Sequence, residues 1–254
     1  YIFYRPAVYD IDVNRSGDLL ASASTDGFRL WELSTEQATI FQPVGDEFTT
    51  YSGIEIDDSG NYVVGWREQD ALQLLGMDEA QTIEVYLWWP IDVDFSPTLQ
   101  IHGATPGRLE DFVLWRADTN EQVSLSYPDT VNPLSFSKFI SFSPSGLFFA
   151  LTTSEHQLLL WALNDGTPTF LKMTQLVSED GASSVLDFMY TPNESMIVVK
   201  NQALTKLQFL DAQTLEVLYE LSLPSRTTAF HFSEDGRYLY TGHLDGTVRV
   251  WAIP

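Results

Sequence analysis

Cysteine is absent from the 254 residues, which excludes disulfides, thiolate nucleophiles and cysteine-based zinc or iron–sulfur sites from this chain. Basic residues are scarce: Lys and Arg number 13 against 35 Asp and Glu, a formal charge of −22 at pH 7. So negative a surface repels phosphate backbones and anionic headgroups, which argues against nucleic-acid binding and against attachment to acidic membranes. No apolar run reaches about 18 residues, the length of a membrane-spanning helix. Histidine is thin, with four residues. His102, His156, His231 and His243 stand far apart, and neither His-Glu-x-x-His nor Gly-x-Ser-x-Gly occurs. No cofactor is implied.

Apolar residues make up 44% of the chain and aromatics 13%, spread along its length, so a folded body with a sizeable core is expected. The chain opens at Tyr1 without Met or a basic-then-apolar leader, and is read as a processed chain or a piece of a longer one. Four lysines, with 20 Asp exceeding 15 Glu, point to a bacterial, extracytoplasmic protein.

Six segments occupy equivalent places: Val13–Gly17, Ile56–Gly60, Phe95–Thr98, Phe142–Gly146, Tyr190–Asn193 and Phe232–Gly236. Each is a polar turn between two apolar runs, often with a Gly that tolerates positive φ. A third apolar run then ends at Trp31, Leu75, Trp115, Trp161, Phe209 and Trp251, at intervals of 40 to 48 residues. Recurrence at this period marks a repeat array. Inside a unit the alternation is two-residue, as in Val8–Val13 and Thr247–Trp251, so the elements are strands. The first unit reads as strands over 7–13, 18–23, 27–32 and 38–41. Such a unit cannot bury its own apolar face and must stack on neighbours.

The expected architecture is therefore all-β: a six-bladed propeller of four-stranded antiparallel blades in a single domain over 1–254. The repeats fall at about 7–41, 51–86, 91–125, 138–172, 184–221 and 227–251, with residues 1–4 joining the last. That last unit supplies three strands, so an N-terminal strand around Ile2 and Phe3 is expected to complete it and close the ring.

The turn, the small-x-small stretch, the Asp-Gly pair and the terminal Trp together resemble the WD40 repeat. The matches run over Leu19–Trp31, with Asp26-Gly27, and up to Trp251, with Asp245-Gly246. The resemblance covers the whole chain as six degenerate repeats. It implies that Asp26 and Asp245 hold their turns, that Ser22 or Ser24 and Thr241 supply hydroxyls, and that Trp31, Trp115, Trp161 and Trp251 are structural. The family's His before the first strand of a repeat is missing, and His243 lies beside Asp245 instead.

Two charged features remain. Aligned on the turns, the first strands carry Asp10, Asp92 and Asp187 at one position and Asp12, Glu55 and Asp94 two residues on, one face of each strand. Converging on an axial channel, they make an acidic lining. Asp10, Asp92 and Asp187 are weak metal candidates there, and no residue is assigned as catalytic. The loops between and within repeats carry Asp46, Glu47, Asp70, Glu110 and Glu179, with Trp88-Trp89 as an aromatic anchor. The leading functional reading is a noncatalytic scaffold that presents this acidic loop face to a basic protein or peptide. The alternative is a propeller hydrolase or lyase using channel carboxylates, with a divalent cation.

Overall fold

Alternating apolar and polar residues, punctuated by side chains that stabilise turns, build one element type throughout. The computed structural model describes residues 7–25, 27–41, 51, 53–66, 72–76, 82–85, 90–99, 101–106, 112–116, 119, 121–125, 127, 137–176, 185–201 and 205–253. Two units divide the chain, residues 1–124 and 125–254.

In the first unit, the first sheet comprises β1 (Val8–Val13), β2 (Leu19–Ser24), β3 (Gly27–Glu32) and β4 (Gln37–Phe41). The second comprises β5 (Gly53–Ile56), β6 (Tyr62–Trp66), β7 (Leu72–Gly76) and β8 (Thr82–Val85). The third comprises β9 (Pro90–Phe95), β10 (Ile101–Pro106), β11 (Val113–Arg116) and β12 (Gln122–Val123). In the second unit, β13 (Ser137–Phe142), β14 (Phe148–Thr153), β15 (Gln157–Asn164) and β16 (Thr167–Gln175) form one sheet. Another holds β17 (Val185–Tyr190), β18 (Met196–Asn201), β19 (Lys206–Asp211) and β20 (Val217–Ser222). The last holds β21 (Thr227–Phe232), β22 (Tyr238–His243) and β23 (Val248–Ala252). Strands follow one another in order within each sheet, and all pairings are antiparallel.

Six four-stranded blades are expected; among the described residues the structure has five. The last sheet contains three strands among the described residues. Residues 1–4, expected as its fourth strand, lie outside the described residues, and among the described residues no N-terminal strand closes that sheet. The count of six, and the six-repeat resemblance with it, came from turns and third-strand ends. Neither signal reports whether a fourth strand pairs with the third.

The turn between the first two strands shows why the repeat recurs. Asn14 Oδ1 accepts from Leu19 N at 3.0 Å, Ser143 Oγ from Phe148 N at 3.2 Å, and Ser233 Oγ from Tyr238 N at 2.9 Å. Thr191 Oγ1 does the same for Met196 N at 3.1 Å. A short oxygen-bearing side chain thus holds each of these four hairpins, as such residues do in turns generally. Gly17, Gly60, Gly146 and Gly236 follow with φ near +70°, and Glu194 takes the corresponding place in the β17–β18 turn at φ 58°.

Cross-strand pairing corrects one phase. Trp31 lies opposite Leu20, Trp161 opposite Phe149 and Trp251 opposite Leu239. By the same register Ile197 lies opposite Leu210, so Leu210, not Phe209, fills the terminal aromatic's place in the β17–β20 sheet. The aromatic next to it misled the alignment, because a one-residue slip turns a side chain to the other face.

Five of the six first strands carry a bulge just before the carboxylate position, between Val8 and Asp10, Pro90 and Asp92, Ser137 and Phe139, Val185 and Asp187, and Thr227 and Ala229. A bulge re-aims the side chains that follow it. In the second sheet a glycine does the related work: a Cβ on Gly53 would lie 2.0 Å from the Trp66 ring, so the indole covers the bare backbone.

Candidate functional site

Within the first unit the first strands β1, β5 and β9 lie alongside one another and bring five carboxylates together: Asp10, Asp12, Glu55, Asp92 and Asp94. Two of them bridge neighbouring sheets. Asp10 Oδ1 accepts from Ile11 N at 3.0 Å and its Oδ2 from Ile54 N at 3.1 Å. Asp12 repeats the arrangement with Val13 N at 2.8 Å and Ile56 N at 2.9 Å. One oxygen of each thus stays on its own strand and the other reaches the next sheet. Burial raises both carboxyls, and the backbone N–H donors oppose it.

Glu55 has no such relief. Burial first, then the negative charges of Asp94, Asp12, Asp92 and Asp10, push it well above the usual carboxylate range. Its titration therefore acts on folding. Above about pH 4.5 the unfolded chain loses a proton that folded Glu55 keeps. Stability must fall as pH rises from there through the folded-state value, by at most about 1.4 kcal/mol per pH unit. Glu55→Gln removes this slope, so the variant should be the more stable protein at pH 7 and show a flatter pH profile in urea unfolding. Parallel profiles for parent and variant would contradict the assignment.

Asp187 belongs to the second unit, and its neighbour there is Lys200, with Nζ 3.3 Å from Oδ2. Lys200, itself buried, also donates to the Thr228 carbonyl at 3.1 Å and lies over the Phe230 ring at 5.5 Å. Burial raises Asp187, and the Lys200 charge opposes it. Among the described residues no group of three or more His, Asp or Glu is placed to hold a metal ion.

The hydroxyl–indole pairs form in two sheets. Trp31 Nε1 donates to Ser22 Oγ at 3.0 Å, and Trp251 Nε1 donates to Thr241 Oγ1 at 2.9 Å. In the last sheet the chain continues: Thr241 Oγ1 lies 2.8 Å from His243 Nε2, and His243 Nδ1 lies 3.2 Å from both Ser225 O and Thr227 Oγ1. The histidine that seemed missing is therefore supplied by the end of β22 rather than by a preceding loop. Its signal in the sequence was the two-residue spacing from Thr241, which puts both side chains on one face. Asp245 holds its own turn, accepting from Thr247 Oγ1 at 2.5 Å and Thr247 N at 3.0 Å, with Arg249 Nη2 at 3.2 Å. The Thr247 hydroxyl chiefly lowers its carboxyl. Asp26 lies outside the described residues. So do all the loop-face candidates: Asp46, Glu47, Asp70, Trp88, Trp89, Glu110 and Glu179.

Against known proteins, the WD domain, G-beta repeat family matches residues 217–252. Over 97% of its length the chain superposes on the β-propeller domain of Myceliophteria thermophila Cps50 (Swd1), with a TM-score of 0.76 at 11% identity, covering 84% of that chain. The fold is that of a WD40-like β-propeller. In sequence, 103 residues are 31% identical to the U3 small nucleolar RNA-associated protein 21 homolog of Schizosaccharomyces pombe. The match takes in 39% of this chain and spans only 11% of that protein's length.

Proposed function

We propose that this protein is a noncatalytic interaction module for a basic protein or peptide. The observation that carries the reading is electrostatic: a chain of net charge −22 whose first unit brings Asp10, Asp12, Glu55, Asp92 and Asp94 onto adjacent first strands. A field of one sign steers cationic partners and disfavours anionic ones. The likeness to a β-propeller domain and the WD-type repeat support an interaction role, since the fold offers a scaffold for loops rather than a fixed chemistry. The loop acids Asp46, Glu47, Asp70, Glu110 and Glu179, with Trp88 and Trp89, are the proposed partner face, an aromatic anchor bordered by charge.

Deca-arginine is a suitable probe. It should bind in low salt and lose affinity steeply between about 50 mM and about 500 mM NaCl. Glu110→Lys combined with Glu179→Lys should slow its association and flatten that salt dependence while leaving thermal unfolding unchanged. No binding at low salt would overturn the basic-partner reading, and unchanged kinetics in the variant would remove the loop face from it.

A further inference from the structure

We draw no further inference here: the strongest candidate, the exposed apolar patch of Val217, Leu218 and Tyr219 on β20, the outer strand of its sheet, carries nothing, because nothing in the structure shows what covers it.

Discussion

Replacing Trp161 by Ala should cost about 3–5 kcal/mol of stability, the usual loss on emptying a large aromatic core site. The indole is completely buried. It stacks on Phe149 with ring centroids 5.2 Å apart and an interplanar angle of 3°. Phe170 and Tyr127 meet it edge-on at 5.3 Å and 5.7 Å. Three rings from three segments of the second unit therefore lose a common partner, and the strands that carry Phe149 and Phe170 are fixed on either side of β15 by pairing. Collapse into the void is limited, so most of the cavity term should remain. Urea unfolding followed by fluorescence and by circular dichroism measures the loss. A change below about 1 kcal/mol would mean that the site relaxes and that Trp161 is no anchor.

The second large effect has the opposite sign. His102 lies at a position filled by Leu20, Val63, Phe149, Ile197 and Leu239 in the other sheets. Its ring stacks on Trp115 at 5.1 Å and packs against Phe95 at 5.4 Å. It is 1% exposed, and neither nitrogen has a hydrogen-bond partner among the described residues. An unsatisfied buried polar group costs about 1–3 kcal/mol, so His102→Leu should stabilise the protein by an amount in that range. The charges on the flanking strands, Asp94 beside Phe95 and Arg116 beside Trp115, sit at alternate positions and so on the opposite face.

Burial lowers His102 to about 3, which gives the substitution a pH signature. Below about 6.5 the unfolded chain takes up a proton that the folded chain refuses, so stability declines as pH falls from there towards 3. The leucine variant lacks this decline, and its advantage over the parent should widen on acidification. A constant difference between pH 7 and pH 4 would show that His102 is protonated in the fold. Glu55 produces a slope of the opposite sign, so the two variants separate the contributions.

Local chemistry made much of the architecture legible. The alternation in Val8–Val13 and Phe28–Trp31 gave strands, and Val8–Val13, Leu19–Ser24, Gly27–Glu32 and Gln37–Phe41 lie within a residue or two of the spans expected from it. Short oxygen-bearing side chains at Asn14, Ser143, Thr191 and Ser233 marked hairpins because they bond their own turn, an interaction confined to five residues. The bacterial origin suggested by lysine scarcity gains no support from the two similar proteins named above, which come from Schizosaccharomyces pombe and Myceliophteria thermophila.

What the sequence alone determined, then, is whatever depends on neighbours along the chain: the strands, their turns, the period of the array and the excess of negative charge. Only the tertiary structure decided which residues meet across strands and between sheets. Cross-strand register gave the terminal place to Leu210 instead of Phe209, and brought His243 to Thr241 to complete a network that the repeat pattern had left open. Among the described residues strand pairing gave five four-stranded blades and one sheet of three, where counting repeats gave six four-stranded blades. Packing of β1, β5 and β9 made Asp10 and Asp12 acceptors for the next sheet and left Glu55 to bear the repulsion. Packing between sheets is set by contacts between residues 44 positions apart, and a two-residue alternation fixes which face a side chain takes without naming what that face will touch.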